Sequence, residues 1–427
     1  MVFGLTKNYA GGIMAHIVII GAGVAGVSVA QDLRATGGDE HAITLINESD
    51  CFYYSPSLNW FSIGWRDEDD ICFSLSRELA HENINILPVA VTGLDAKQHV
   101  ITLIDGSTLS YDYLVLATGA RNVFSATERS SYCSFTSSFL DAKSTVKHYF
   151  QFMQLSEGEI VILATDPSSH LVNAYETVFI IDADLKRRKI RNKFNLSLVT
   201  SEQVIGELGL NGVGDSIKRL QSALQERNIN TFQNTTISSW ESDSLIVEAV
   251  NSAGACEQTK FHAPFVIDFP SRTGVDVVTQ TQGLCDERGF VLVDEYQRSY
   301  LDPQIYAVGD CVALPKMTEG TVHTVNTSEL MVESMVKAIT QNICSELLGL
   351  EVSTKFKQNA IGIIDMGEHA ASFAAIPISE PRETSLFEIN EWLHISKQNF
   401  EVLTIEKLRS GDSTGKRERA KFEKSRD

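Results

Sequence analysis

Short apolar runs alternate with helix-compatible stretches along most of the chain. Residues 16–20, 43–46, 160–164 and 195–200 form apolar runs of the kind that is buried in parallel sheets. Helices are predicted at 27–34, 137–155, 174–188, 215–227 and 328–348. The last of these has Ser328 as an N-terminal cap and Gly349 at its end. The pattern therefore predicts an α/β fold.

The order of these elements predicts two Rossmann-like dinucleotide-binding domains, the second inserted into the first, followed by a C-terminal α+β region. The length of 427 residues fits two or three domains at about 150 residues each. The predicted bounds are 15–130 and 273–355 for the discontinuous first domain, 131–272 for the inserted domain, 356–405 for the C-terminal region and 406–427 for a charged, solvated tail. Residues 1–14 are predicted to be an unstructured extension.

In the C-terminal region, the apolar segments 360–366 and 370–376 predict a hairpin. The following stretch, 387–403, carries Trp392, Leu393, Ile395, Phe400 and Leu403. Two interpretations stay open for it: an amphipathic interface helix, or a helix packed on its own domain.

A glycine fingerprint follows the first apolar run. Residues 16–26 read HIVIIGAGVAG, which places Gly21, Gly23 and Gly26 between a strand and a helix. Gly21 permits the tight turn, Gly23 lets the backbone approach a pyrophosphate, and Gly26 allows close packing of helix and strand. Glu48 ends the second run about 20 residues later, where a carboxylate can bind an adenosine ribose. The segment predicts a dinucleotide site.

Two later segments indicate which dinucleotide binds there. Residues 111–119 (YDYLVLATG) end in Thr118 and Gly119, and residues 305–311 (IYAVGDC) contain Gly309 and Asp310. Both resemble motifs of flavoproteins with two dinucleotide domains, in which the aspartate binds the ribityl and pyrophosphate region of FAD. The resemblance implies FAD as the cofactor at these residues.

Composition and charge exclude several classes of protein. The net charge of −19 argues against nucleic-acid binding, which needs a positive surface. The seven cysteines include no CxxC pair, which predicts a reducing compartment, no metal site, and Cys51 and Cys72 as buried apolar side chains. No apolar run reaches membrane-spanning length. We expect a cytoplasmic protein, and leave open a peripheral contact with the inner membrane surface and a homo-oligomer.

Across residues 15–400 the chain resembles the sulfide:quinone oxidoreductases and the flavoprotein subunit of flavocytochrome c sulfide dehydrogenase. Beside residues 111–119, the resemblance is carried by the segments 55–66 (SPSLNWFSIGWR), 206–216 (GELGLNGVGDS), 289–298 (GFVLVDEYQR), 331–338 (MVESMVKA) and 365–377 (DMGEHAASFAAIP). It implies an enzyme that passes two electrons from a small reduced donor through FAD to a quinone-like acceptor. It also implies cysteines that hold sulfur covalently beside the flavin.

The chain departs from that pattern at two of the three family cysteines. His170 and Gly362 stand where the resemblance places the flavin-facing pair, and only Cys133 matches the third. Neither histidine nor glycine can hold sulfur in a disulfide, so sulfide is in doubt as the donor. His170, with an ordinary pKa near ~6.5, is a candidate general base for another donor, and a space-filling replacement is the alternative.

Other functions stay open at this point. A type II NADH dehydrogenase-like enzyme would need a second glycine fingerprint after residues 160–164, where the chain has Thr165, Asp166, Pro167 and Ser168. Loss of the cysteine pair also fits an FAD-binding module without redox turnover. A third alternative is a larger donor, with His170 as its base.

Overall fold

The computed structural model describes residues 14–123, 133–134, 138–166, 168–241, 243–250, 255–314 and 327–411. Residues 1–13 of the predicted extension and residues 412–427 of the predicted charged tail lie outside the described residues.

The strands, in chain order, are β1 (His16–Ile20), β2 (Ala42–Asn47), β3 (Cys51–Tyr53), β4 (Cys72–Ser74), β5 (Asn85–Pro88), β6 (Val91–Asp95), β7 (Val100–Leu103), β8 (Thr108–Ser110), β9 (Tyr113–Leu116), β10 (Arg121–Asn122), β11 (Cys133–Ser134), β12 (Gly158–Ala164), β13 (Phe194–Thr200), β14 (Ile229–Phe232), β15 (Thr235–Trp240), β16 (Ser244–Val250), β17 (Cys256–His262), β18 (Phe265–Asp268), β19 (Arg272–Thr273), β20 (Ile305–Ala307), β21 (Ala360–Asp365), β22 (Ala370–Ile376) and β23 (Thr384–Asn390).

The helices are α1 (Val24–Gly37), α2 (Leu58–Ser62), α3 (Glu68–Ile71), α4 (Leu75–Glu78), α5 (Phe139–Phe152), α6 (Leu171–Arg187), α7 (Ser216–Glu226), α8 (Asp276–Thr279), α9 (Glu329–Leu347) and α10 (Glu391–Ser410). The predicted cap of α9 is present, because the Ser328 hydroxyl accepts a hydrogen bond from the Met331 amide.

The first sheet has the parallel strand order β20-β9-β1-β2-β5. Its β20 comes from a stretch of chain far from its other strands, as expected for a discontinuous domain. The central strands are fully buried; Val18, Leu45 and Val115 have no exposed surface. Burial on both faces explains why these strands read as continuous apolar runs rather than as alternating patterns. Their carboxyl ends share one edge, where parallel α/β sheets bind ligands.

A second parallel sheet has the strand order β11-β18-β12-β13-β14. In the sequence, its strands lie between the two stretches of chain that build the first sheet. Helix α6 contacts β12 and β13, and most of its residues are buried. Three-stranded antiparallel sheets, β6-β7-β8 and β15-β16-β17, accompany the first and second sheets. This arrangement fits the predicted fold class, and the exact domain bounds stay predictions.

The C-terminal region differs in detail from the prediction. The hairpin β21-β22 is present, but β23 adds a third antiparallel strand. Residues 387–390 belong to that strand, so α10 begins at Glu391 instead of 387. The helix also continues through Ser410, where Gly411 ends it in a left-handed conformation. The prediction of a solvated tail from residue 406 was therefore wrong for 406–410, because Leu408 is buried against the core.

Candidate functional site

The glycine turn between β1 and α1 has two tightly packed glycines and one that faces open space. A β-carbon at Gly21 would lie 2.3 Å from the Ala117 carbonyl oxygen, and one at Gly26 would lie 1.8 Å from the Gly21 oxygen. At Gly23, which precedes α1, a β-carbon would meet no atom within 4 Å. Gly21 also has φ +103°, which favours glycine. The turn thus leaves room at a helix N-terminus, where backbone amides and the helix dipole attract phosphate.

The other predicted binding residues lie at the same edge of the first sheet. Glu48 is exposed just beyond β2, and Thr118 and Gly119 follow β9. Gly309 and Asp310 follow β20, and Gly309 lies against the Ala25 side chain at the start of α1. Since β2, β1, β9 and β20 are parallel neighbours, the structure brings these residues together. The set offers amides, small residues and a carboxylate to an extended dinucleotide.

Asp310 is held as a carboxylate by its neighbours. Its Oδ2 accepts a hydrogen bond from Arg272 Nη2 at 2.9 Å, and its Oδ1 accepts one from the Thr327 hydroxyl. Burial alone would raise the pKa of Asp310, but the Arg272 charge, His170 and these hydrogen bonds lower it to about 2. Arg272 was not among the sequence candidates, since only the fold shows that β19 passes beside the turn after β20.

His170 lies beside this ion pair. Its Nε2 is 4.0 Å from Asp310 Oδ2, and it directly precedes α6. Burial first, and then the Arg272 charge, lower the pKa of His170 to about 3. The expectation of an ordinary pKa near ~6.5 was therefore wrong. A neutral imidazole can donate one hydrogen bond and accept another, but it is a weak base at neutral pH.

Cys133 is the first residue of β11. It lies opposite Val266 of the neighbouring strand β18. Val266 in turn lies opposite Val161, in the middle of β12, whereas His170 follows the carboxyl end of that strand. The backbone register thus places Cys133 two strands across from β12 and below its end. A catalytic role for Cys133 stays a prediction.

The loop after β12 is closed by its own side chains. Asp166 Oδ1 accepts hydrogen bonds from both the Ser168 amide and the Ser168 hydroxyl, at 2.8 and 2.5 Å. At the end of β13, Glu202 is fully buried and accepts hydrogen bonds from the Tyr175 hydroxyl and the Leu208 amide. These are the positions at which a Rossmann unit binds pyrophosphate and ribose. The contacts therefore disfavour a nicotinamide dinucleotide in the second domain.

The cysteines differ from the sequence prediction at one point. Cys51 and Cys72 form a disulfide between β3 and β4, with their α-carbons 6.7 Å apart. They are half-buried, so their assignment as buried apolar thiols was wrong. Cys311 is fully buried, its Sγ lies 3.2 Å from the Leu116 carbonyl oxygen, and burial raises its pKa to about 11. Cys311 therefore behaves as a packed side chain rather than a thiolate.

Sequence reasoning missed a buried polar cluster between α2, α6, β21 and α10. Lys397 Nζ donates a hydrogen bond to Glu176 Oε2, and Asp365 accepts hydrogen bonds from Trp60 Nε1 and contacts His394 Nδ1, both at 2.8 Å. Burial raises the pKa of Glu176, although the Lys397 charge opposes the shift. Lys397 and Glu176 are 221 positions apart in the sequence. The cluster therefore contains no local sequence motif that could have revealed it. Together they form a hydrogen-bonded group of ionisable side chains that joins α2 and α6 to the C-terminal region.

The opposite side of α10 carries four exposed apolar side chains, together with the exposed polar residues Asn399 and Glu406. Trp392 is 75% exposed and Leu403 63% exposed, and with Ile395 and Val402 they occupy one side of the helix at i, i+3, i+10 and i+11. The described residues contain no helix long and apolar enough to cross a membrane, and no cluster of metal-ligating side chains was found among them.

Comparisons with known proteins agree with this architecture. The family model described as pyridine nucleotide-disulphide oxidoreductase matches residues 15–149 and 206–341. The chain is 30% identical to a sulfide-quinone reductase of Aquifex aeolicus (strain VF5), over 93% of this chain and 92% of that one. The solved structure of an Aquifex aeolicus sulfide:quinone oxidoreductase superposes with a TM-score of 0.87, at 30% identity and with 93% and 92% of the two chains covered.

A ferredoxin–NAD(+) reductase subunit of the benzene 1,2-dioxygenase system of Pseudomonas putida is 26% identical over 79% of this chain and 75% of its own. This NAD-dependent type of relative is more distant than the sulfide-quinone reductase. With the glycine cradle and the strand-end residues described above, the chain belongs to the pyridine nucleotide-disulphide oxidoreductase family, resembles its sulfide:quinone oxidoreductases, and is an FAD-dependent oxidoreductase.

Proposed function

We propose that the protein takes two electrons from a small reduced donor and delivers them, by way of FAD, to a quinone bound on the α10 side. The observation that carries this proposal is the Lys397–Glu176 contact, which joins the inner side of α10 to α6, on a helix whose outer side exposes the apolar residues Trp392 and Leu403. Quinone reduction consumes two protons as well as two electrons, and an apolar acceptor needs an apolar approach. The C-terminal region offers both.

The residues at the edge of the first sheet fit FAD. Gly23 leaves open the space that a pyrophosphate requires, and the N-terminus of α1 has no side-chain cap of its own. We assign Gly21, Gly23 and Gly26 to the pyrophosphate turn, Glu48 to the adenosine ribose, and Thr118, Gly119, Gly309 and Asp310 to the remainder of the cofactor. When bound, FAD supplies two-electron redox chemistry at its isoalloxazine ring.

The ionisable groups of the C-terminal cluster have defined roles in this proposal. Lys397 Nζ donates a hydrogen bond to Glu176 Oε2, and His394, which is 14% exposed, contacts Asp365 on the solvent side of the cluster. A buried cation also favours the negative charge that an acceptor oxygen gains during reduction. Replacing Lys397 with Met should therefore slow acceptor reduction about tenfold or more.

We assign the entry of the acceptor to a cleft of about 280 Å³ between α1, α9 and α10. Its apolar wall includes Val332, Val336 and Phe400, and it reaches Val24 beside the glycine turn. The rest of its lining is largely polar and includes Asp32, Glu329, Glu333 and Lys337, so the apolar wall is where an apolar acceptor would bind. Val332→Trp, which fills the cleft, should raise the KM for a quinone about tenfold. An unchanged KM would place the acceptor elsewhere.

The acceptor is tested by anaerobic photoreduction of the FAD-loaded protein, followed by mixing with a soluble benzoquinone analogue. We expect flavin absorbance to return rapidly in the parent and in Lys143→Met, a surface control, and slowly in Lys397→Met. Reoxidation no faster than in quinone-free buffer would contradict the proposal and favour the FAD-binding module without turnover.

The donor is tested separately by mixing the oxidised protein anaerobically with sulfide, a small thiol or NADH. Closure of the second-domain loop by Asp166 and Glu202 predicts no reduction by NADH. With its pKa near 3, His170 contributes a neutral hydrogen-bonding group, so we expect a donor that needs no strong base. Failure of every donor to bleach the flavin would exclude an enzyme that uses these three.

The exposed side of α10 supports a peripheral contact with a membrane, where a lipid-soluble quinone resides. Aromatic and aliphatic side chains on one side of a helix favour insertion at the interface. Trp392→Glu should weaken co-sedimentation with phospholipid vesicles. Ile104→Glu, a change at another highly exposed apolar residue that lies outside α10, is the control. Equal sedimentation of the two variants would refute contact through α10.

A further inference from the structure

Phe373 occupies the space into which a side chain at position 362 would project. Gly362 on β21 lies directly opposite Phe373 on β22, and directly opposed residues of an antiparallel pair project from the same face of the sheet. A β-carbon built on Gly362 would lie 2.7 Å from both Cε1 and Cζ of the Phe373 ring. That is closer than real β-carbons approach, so the ring and any side chain at 362 compete for one volume.

The ring has little freedom to withdraw. Phe373 is 6% exposed and belongs to the main hydrophobic core. On its other side it lies opposite Phe387 of β23, which is also buried. On one face of the sheet, Gly362 of β21, Phe373 of β22 and Phe387 of β23 are therefore neighbours. An aromatic ring that covers a strand glycine is a recognised way to compensate for the missing side chain.

We propose that Phe373 is a specificity-determining residue that excludes covalent sulfur chemistry from this site. Position 362 is where the resemblance places one of the sulfur-holding cysteines, and here the position is filled, not merely vacated. With His170 beside Asp310 and Arg272 at the other cysteine position, neither of these two positions carries a sulfur. The donor then delivers its electrons without a persulfide held at either position. This inference rests on the proposed function and narrows its donor.

The steric conflict between Phe373 and a side chain at position 362 is tested by measuring melting temperatures. Gly362→Ala should lower the melting temperature by about 4 °C or more, because overpacking of a core costs stability. Gly93→Ala is the matched control: it is also a strand glycine, but its β-carbon would lie 3.4 Å from the nearest atom, in Thr102. Equal melting temperatures of the two variants would overturn the proposal. Phe373→Val should in addition remove most of the penalty of Gly362→Ala, and strictly additive losses would count against it.

The specificity part is tested with cysteines restored at both positions. We compare H170C/G362C with H170C/G362C/F373V, each loaded with FAD and oxidised with diamide, and follow flavin bleaching by sulfide together with the count of free thiols. The triple variant should bleach at least tenfold faster and lose two more titratable thiols on oxidation. Equal behaviour of the two variants, including no bleaching in either, would overturn the role of Phe373. Reoxidation of the same reduced variants by a quinone reports the acceptor side independently.

Discussion

Arg272 and Asp310 form an ion pair of 2.9 Å that ties β19 to the turn after β20. The Arg272 side chain is only 10% exposed, so the pair holds a charge in place at the sheet edge to which we assign the cofactor. The same guanidinium lowers the pKa of His170, after the larger effect of burial. Arg272 therefore favours the charged form of Asp310 and the neutral form of His170.

Removal of that cation should leave Asp310 as a poorly compensated charge. We expect Arg272→Met to cost about 3 kcal/mol in the free energy of unfolding, the range seen when one partner of a buried pair is lost. Arg272→Lys retains the positive charge, so its free energy of unfolding should fall less than that of Arg272→Met. Urea denaturation at pH 7 measures both. If the two variants were equally stable, the charge of Arg272 would not be what matters.

His170 should not titrate in the physiological range. Its pKa of about 3 in the folded protein lies below its unfolded value of 6.5, so the unfolded state binds more protons between these values. Stability from His170 is complete above pH 6.5 and is lost as the pH falls from there toward 3. His170→Gln should flatten this part of the stability profile. An unchanged profile would show that His170 is protonated normally.

Glu202 should have the opposite effect. Burial raises its pKa to about 7, although hydrogen bonds from Tyr175 and Leu208 oppose the shift. Its pKa in the unfolded chain is 4.5. Its contribution to the stability of the folded protein is therefore complete below pH 4.5 and is lost as the pH rises through 7. We expect Glu202→Gln to be relatively more stable at pH 8 than at pH 5, compared with the parent. Thermal denaturation at both pH values measures this difference, and parallel curves would exclude a raised pKa.

The Cys51–Cys72 disulfide closes a loop with a sequence separation of 21. A loop of this length predicts a stabilisation of about 3 kcal/mol in the chain-entropy description. The hairpin is also held by Asp50, which accepts hydrogen bonds from Ser74 and Ser76, so the reduced protein should stay folded and keep FAD. Mass spectrometry should show a gain of two hydrogen atoms on reduction, and the reduced protein should have a lower melting temperature. A C51S/C72S variant as stable as the parent would contradict this.

The sequence predicts the elements whose physical cause is local. The glycine turn before α1 and the Ser328 cap each depend on residues within a few positions, and the structure shows both as expected. The disulfide depends on two three-residue strands pairing across intervening helices, which periodicity does not reveal. The start of α10 was misplaced because the sequence of residues 387–390 is compatible with a helix or a strand. These residues form a strand because they pair with β22.

The site was predicted in part for the same reason. Fingerprint residues lie at strand ends and can be read from spacing, whereas Arg272, Lys397 and Phe373 act through neighbours distant in sequence. The pKa of His170 could not be anticipated, since it depends on burial and on the Arg272 charge.

Gly23 tests the central claim most directly, because its replacement separates folding from cofactor binding. With φ −75° and no atom within 4 Å of a β-carbon, Gly23→Ala should leave the melting temperature of the FAD-free protein within about 2 °C of the parent. The same methyl group stands where the pyrophosphate must approach the helix. We predict that the dissociation constant for FAD, measured by flavin fluorescence on the FAD-free proteins, rises at least tenfold in Gly23→Ala. Unchanged FAD affinity in this variant would contradict the placement of the cofactor on which the account depends.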